Sequence, residues 1–115
     1  MAETIFSKII RKEIPADIVY ESDTILAFKD INPQAPVHIL IIPKEPIEYT
    51  TDIDGTKHAA LLGKLFDTAN KLAKEQNIDQ SGFRLVINCG NDGGQEVPHL
   101  HMHLLGGRKM KWPPG

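Results

Sequence analysis

The sequence predicts an α+β fold: one antiparallel sheet of five strands, accompanied by one short amino-terminal helix and one long helix. Three observations lead there. Three runs rich in β-branched and aromatic residues succeed one another between Ile18 and Ile42 with no helical pattern between them. A single long stretch of three- and four-residue apolar spacing follows, between Asp54-Gly55 and Asn77. Two further strand-like runs come after it. Strands interrupted by one long helix, rather than alternating with several, favour an antiparallel sheet over a doubly wound parallel one.

Each element has its own signal. Thr4 is a helix-capping residue placed before Ile5, Phe6, Ile9 and Ile10, an apolar face at helical spacing that ends before Pro15. Ile18 to Tyr20, Thr24 to Phe28 and Val37 to Ile42 read as strands, separated by Glu-Ser-Asp and by Asn32-Pro33-Gln34-Ala35-Pro36. Leu61, Leu62, Leu65, Phe66, Ala69, Leu72 and Ala73 define the buried face of the long helix, while Lys57, Lys64, Lys71 and Lys74 read as its solvated face. Phe83 to Asn88 is the fourth strand and His99 to Leu105 the fifth, closed by Gly106-Gly107. The connection Gly90 to Glu96 is glycine-rich and too long for a tight hairpin. Prolines bar the tail, Trp112-Pro113-Pro114, from a central strand, so it is expected to lie across a surface.

A chain of 115 residues, 41% hydrophobic, has room for one domain over residues 1–115 and enough apolar surface to fold without staples. Cys89 is alone, which excludes an intrachain disulfide and suits a reducing compartment, cytoplasmic or nuclear. The formal charge of −2 and the lack of any basic run longer than a pair such as Arg11-Lys12 argue against a nucleic-acid backbone binder. Glu3 and the absence of a long apolar stretch fit neither a secretory leader nor a transit peptide, and Ala2 removes the myristoylation motif. The most apolar stretch, Val37 to Ile42, falls far short of the ~20 residues of a membrane helix. No membrane partner is expected.

Of five histidines, three stand at 99, 101 and 103, interleaved with Leu100, Met102 and Leu104. Side chains alternate along a strand, so the three imidazoles are expected on one face with the apolar residues in the core. A metal is the first chemistry to weigh. At ~3.3 Å per residue, His99 and His103 lie about 13 Å apart, too far for short bonds to one ion without full stretch or a sharp bend. Two of the row could chelate with His38 as a further ligand, or with Cys89 as a poorer one, but the spacing disfavours a metal, and no cofactor is expected. Imidazole is largely neutral at pH 7 and can attack electrophilic phosphorus once its tautomer is fixed. Gly93-Gly94, five residues before the row begins, lets main-chain N–H groups approach a phosphate closely.

His99-Leu100-His101-Met102-His103-Leu104-Leu105 resembles the signature of the histidine triad family. The likeness continues through Ile5-Phe6, Lys8 to Ala16, Phe28-x-Asp30-Ile31-x-Pro33-Gln34-Ala35-Pro36-x-His38, Val86-x-Asn88, Asp92 to Gln95, Gly106-Gly107-Arg108 and Trp112 to Gly115, all similar to the family's Hint branch. It covers almost the whole chain except the stretch near Ile47 to Lys57.

The resemblance implies a HIT-like fold in which His101 is the nucleophile, while His99, His103 and His38 form a hydrogen-bonded relay and phosphate site. It places ribose against Asp30 and Ile31, a purine against Ile5, Phe6, Ile9 and Ile14, and the phosphate or 5′ side near Asn88, Gly94, Glu96 and Val97. It implies a purine nucleoside phosphoramidase that cleaves the P–N bond of adenosine or guanosine 5′-phosphoramidates through a nucleotidyl-histidine. It also implies a homodimer with its sheets joined across the two-fold axis and the tail, residues 106–115, near the partner's site. The rivals are a dinucleoside polyphosphate hydrolase and a nucleotide-binding regulatory or scaffold protein. His103 argues against the family's transferase branch, where glutamine is usual. Many Hint proteins carry serine where this chain has Glu96, and an ionised carboxylate cannot donate to a phosphate.

Overall fold

Thr4 opens the first helix by satisfying donors that a helix start leaves unpaired. Its Oγ1 accepts the Ser7 N–H at 3.1 Å and Ser7 Oγ accepts the Thr4 N–H at 3.2 Å. This short helix, α1, runs Ile5–Ile10 and buries Phe6 and Ile9. The computed structural model describes residues 3–115; Met1 and Ala2, to which the reading of the amino terminus belongs, lie outside the described residues.

The strands are β1 (Ile18–Glu21), β2 (Ile25–Lys29), β3 (Val37–Pro43), β4 (Phe83–Val86) and β5 (Met102–Gly106), with the long helix α2 (Ala59–Glu75) between β3 and β4. They form one sheet in the order β1-β2-β3-β5-β4, and every neighbouring pair is antiparallel. A 3-10 turn at Thr50–Asp52, which the sequence does not signal, lies between β3 and α2.

Alternation gives the sheet two buried faces. Ile25, Ala27, Ile39, Ile41, Met102 and Leu104 pack with Leu65, Ala69, Leu72 and Ala73 of α2. Leu26, Phe28, Leu40 and Ile42 pack with Phe6 and Ile9 of α1. β2 and β3 therefore read as nearly unbroken apolar runs, because both of their faces are covered. Among the described residues no helix is long and apolar enough to cross a membrane.

Three sequence expectations are corrected. The fifth strand begins at Met102, not His99. Continuing the β3–β5 register, in which Ile41 faces Met102, would set Pro43 opposite Leu100, and proline has no N–H to extend the ladder. The Leu100 N–H instead donates to the Ile47 carbonyl at 2.6 Å and the His99 N–H to the Val97 carbonyl at 2.8 Å. The fourth strand stops at Val86, leaving Asn88 in the following loop. Phe66 is 50% exposed although Leu65 is 1% exposed. The buried stripe of α2 runs through Thr68, whose hydroxyl is satisfied by the Lys64 carbonyl at 2.7 Å, and this turns Phe66 outward. Lys57, Lys64, Lys71 and Lys74 are exposed as expected.

Gly106 is the last residue of β5, so the tail proper begins at Gly107. It is tied down at two points: Arg84 donates to the Lys111 carbonyl at 2.9 Å and Arg108 to the Gln34 carbonyl at 3.0 Å. Trp112 stays exposed.

The helix correction is measurable. Leu65→Ala should lower unfolding stability by about 2–5 kcal/mol, as cavity-forming core substitutions do. Phe66→Ala should cost less than about 1 kcal/mol, closer to a surface change. Urea unfolding of the two variants checks the difference, and equal losses would restore Phe66 to the core.

Candidate active site

β3 and β5 bring the first two histidines together. Leu40 faces His103 and His38 faces Leu105 across the ladder, so His38 and His103 are diagonal neighbours on one side of the sheet. Their rings meet with His38 Nε2 and His103 Nδ1 2.8 Å apart. The Gln34 N–H donates to His38 Nδ1 at 3.0 Å, which makes that nitrogen an acceptor. The His38 proton therefore sits on Nε2 and is donated to His103 Nδ1, leaving the His103 proton on Nε2.

Two main-chain carbonyls fix the other two rings in the same manner. His99 donates through Nε2 to the Pro43 carbonyl at 2.8 Å. His101 donates through Nδ1 to the His99 carbonyl at 2.7 Å, so its lone pair is on Nε2. No side-chain nitrogen or oxygen among the described residues is both sealed from solvent and unpaired, so His101 Nε2, which has no bond to a described residue, reaches solvent. The His101 and His103 rings are 5.1 Å apart between centroids.

Burial keeps this relay neutral. It pushes His103 down to about 4, with His101 and His38 adding to the effect and Asp30 opposing it. It lowers His38 against the pull of Asp30. His99 is lowered by burial as well, opposed by the Pro43 carbonyl and reinforced by His101. At pH 7 these rings are hydrogen-bond donors and acceptors rather than cations.

Phe6 stands under the row. Its ring meets His101 edge-on at 5.1 Å, His99 at 6.0 Å and Phe28 at 5.5 Å. Of the four positions expected to meet a purine, Phe6 and Ile9 are buried in the core, Ile14 is partly buried against it and Ile5 is half-exposed. Ile31, beside Asp30, is almost fully exposed. Asp30 Oδ1 accepts the Asn32 N–H at 2.8 Å, and its Oδ2 lies 3.4 Å from His38 Nε2. The carboxylate expected to meet ribose thus also faces the relay.

The glycine loop is built tightly. A Cβ on Gly93 would overlap the Cys89 carbonyl, and Gly94 has φ +78°, a region that favours glycine. The Gly94 N–H is turned inward to the Asn91 carbonyl at 3.0 Å and the Gln95 N–H to Gly90 at 3.0 Å. Glu96 is exposed, Val97 packs against the Phe6 cluster, and Asn88 is half-buried beyond β4. Gln95, whose side chain joins three parts of this region, carries no role in the sequence reading beyond its place in a motif. Its position at the end of the glycine run was the available signal. The contributions of the Gln34 N–H and the Pro43 carbonyl left no signal, since every residue but proline carries such an N–H and every residue such a carbonyl.

Asp30, His38 and His103 are the one trio of potential metal donors among the described residues, with ligand atoms within 4.8 Å of one another. Their hydrogen bonding does not fit an ion. A metal-bound histidine normally donates its other ring N–H to an acceptor. Here His38 Nδ1 accepts from Gln34, so binding an ion through Nε2 would remove the ring's only proton and break the bond to His103.

Residues 11–110 match the HIT domain family. A purine nucleoside phosphoramidase of Escherichia coli K12 is 54% identical over 108 residues, covering 94% of this chain and 90% of that protein. A protein of Brassica juncea named as a 14 kDa zinc-binding protein is 54% identical over 114 residues, covering 98% and 100%. The crystal structure of a HIT family hydrolase from Legionella pneumophila superposes with a TM-score of 0.96 at 50% identity, over 98% of this chain and 100% of that one.

Two outcomes follow from the protonation pattern. The protein should purify with less than one metal ion per chain, and dialysis against a strong chelator should leave its Tm unchanged. A stoichiometric ion whose removal lowers Tm would overturn the assignment of the His38 proton. The second concerns pH. His103 titrates at about 4 when folded, against ~6.5 when unfolded, so the unfolded chain binds more protons between those values. Its contribution to stability is complete above ~6.5 and is lost as pH falls toward 4. Urea midpoints should decline over that window, and His103→Gln should flatten the decline; an unchanged slope would mean the ring is not held neutral.

Proposed function

Because the chain belongs to the HIT domain family, we propose that it is a nucleotide hydrolase, and specifically a purine nucleoside phosphoramidase that works through a covalent nucleotidyl-histidine. The observation that carries the reading is the fixed tautomer of His101: with Nδ1–H held by the His99 carbonyl, Nε2 offers a lone pair toward solvent. In this reading Nε2 attacks the α-phosphorus of an adenosine or guanosine 5′-phosphoramidate. A bond forms from Nε2 to phosphorus, the P–N bond of the substrate breaks, and the amine departs. Positive charge that develops on the imidazole is met by the His99 carbonyl. Water then attacks the same phosphorus, returning His101 and releasing the nucleoside monophosphate.

The relay donates hydrogen bonds in this scheme and gives up no proton. His103 presents Nε2–H to a phosphoryl oxygen while its Nδ1 accepts from His38. A neutral imidazole that surrendered that proton would be left an anion, so the departing amine takes its proton from the substrate. Asp30 and Ile31 meet the ribose, Ile5 and Ile14 offer accessible apolar surface to the purine, and Phe6 and Ile9 support it from below. Asn88, Gly94, Glu96 and Val97 border the phosphate and the leaving group. Catalysis in this reading uses no metal or other cofactor.

We carry the homodimer as part of this proposal. β4 is an edge strand with one unpaired side, and the exposed Ile87 that follows it offers apolar surface for a partner copy. A reducing, cytoplasmic or nuclear, compartment suits the free Cys89.

His101→Ala should abolish turnover of adenosine phosphoramidate by several orders of magnitude while adenosine monophosphate still binds. His99 and His103 substitutions should be milder, about 10²–10³-fold, as for groups that position the nucleophile or donate a hydrogen bond to the phosphoryl group. Rapid denaturation during turnover without acid, followed by peptide mass spectrometry, should find an acid-labile nucleotide on His101. No adduct at any time, together with a modest loss in His101→Ala, would establish direct attack by water instead. Competition between adenosine phosphoramidate and diadenosine polyphosphates separates the phosphoramidase from its hydrolase rival, and a wild type that binds nucleotide without turning over either would favour the regulatory one.

A further inference from the structure

We propose that Gln95 is the positioning residue that holds the nucleophile's tautomer and aim, an inference that rests on the covalent mechanism above. The segment that carries His99 and His101 lies outside the β5 ladder, so strand pairing does not fix it. Something else must.

Every polar group of the Gln95 amide is engaged. Its Oε1 accepts the Gly90 N–H at 2.8 Å. Its Nε2 donates one hydrogen to the Glu48 carbonyl at 2.7 Å and the other to the Val97 carbonyl at 3.1 Å. The orientation is unambiguous, because the oxygen faces a donor and the nitrogen faces two acceptors. One side chain therefore ties together the glycine loop, the segment after β3 and the approach to the triad.

The last of these bonds reaches the chemistry. The Val97 carbonyl that accepts from Gln95 also accepts the His99 N–H at 2.8 Å. The carbonyl of His99 in turn accepts the His101 Nδ1–H at 2.7 Å. The Ile47 carbonyl braces the adjoining Leu100 N–H at 2.6 Å, and Gln95 holds the next residue, Glu48. Two successive carbonyls after β3 thus substitute for the missing ladder, and Gln95 links them to the Val97 carbonyl. Removing its donors frees the 97–99 backbone to tilt, and with it the acceptor that keeps the His101 proton on Nδ1.

The test uses two variants of the full chain. Gln95→Glu keeps an acceptor for Gly90 but sets a carboxylate oxygen against the Glu48 and Val97 carbonyls. Gln95→Met fills the space with no donor at all. Nitrogen-15 spectra of His101, recorded without substrate, report the tautomer. Steady-state turnover of adenosine phosphoramidate gives kcat and KM, titration gives adenosine monophosphate affinity, and thermal melting gives Tm.

Both variants should convert His101 from one Nδ1–H form to a mixture and lower kcat about tenfold to a hundredfold, the scale of a misplaced reacting group. Monophosphate affinity should stay within about threefold, since the groups that meet base and ribose are untouched. Relative to the wild type at each pH, Gln95→Glu should recover part of its kcat as pH falls and its carboxyl takes the one proton it can donate, whereas Gln95→Met should not. A wild-type tautomer with kcat within twofold in the variants would overturn the proposal. So would a parallel fall of kcat, monophosphate affinity and Tm with the tautomer unchanged, which marks a residue that only closes the loop. If one variant fails to fold, the other decides. If the wild type turns over no phosphoramidate, the covalent mechanism has failed, and the tautomer alone still decides the role of Gln95.

Discussion

The antiparallel pairing of β3 with β5 is the constraint on which the site depends. It places His38 and His103 diagonally on one face, close enough for a direct 2.8 Å bond between their rings, and it sends Met102 and Leu104 to the opposite face against α2. A slip of one residue would exchange the faces, putting the histidines in the apolar core and the apolar residues at the surface. The covered central strands make such a slip costly, so the same burial that stabilises the sheet sets the register of the paired histidines.

Within that register, main-chain groups decide the proton on three of the rings, and His38 passes its own assignment to His103. The Gln34 N–H, the Pro43 carbonyl and the His99 carbonyl each meet one imidazole nitrogen. Burial then holds His38, His99 and His103 below the ordinary histidine range, so the row is not a cluster of cations. A charged row would bind phosphate tightly but would lack a lone pair for attack. Neutrality of His38, His99 and His103, imposed by desolvation, leaves these closely spaced imidazoles as hydrogen-bond donors and acceptors.

The scaffold and the loops divide the work. β5 holds His103, while His99 and His101 sit before it, in a stretch braced by Ile47, Val97 and Gln95 and floored by Phe6. Phe6 shows how one side chain couples the two regions: it belongs to the α1 cluster of the core and touches both histidine rings edge-on. The glycine loop adds close backbone approach at Gly93 and a positive φ at Gly94, conditions that few other residues meet.

The sequence by itself determined the two helices and five strands, the capping at Thr4, the alternation that sends Leu100, Met102 and Leu104 inward, and the concentration of histidines in one run. These are local properties, carried by side-chain period and by turn and cap residues, and they survive any tertiary arrangement that buries the apolar positions. Phe66 marks where this reading failed, because helical spacing could not tell which edge of the α2 stripe the sheet would cover. The end of the β5 ladder at Met102 came from Pro43, a residue some sixty positions away in sequence, whose missing N–H acts only once the strands are paired. The tautomers, the burial of Phe6 beneath the row, the proximity of Asp30 to His38 and the three bonds of Gln95 were likewise settled in the fold alone. They depend on main-chain atoms and side chains that the register brings together, and a hydrogen-bond partner defined by distance and direction leaves no period for a sequence to display.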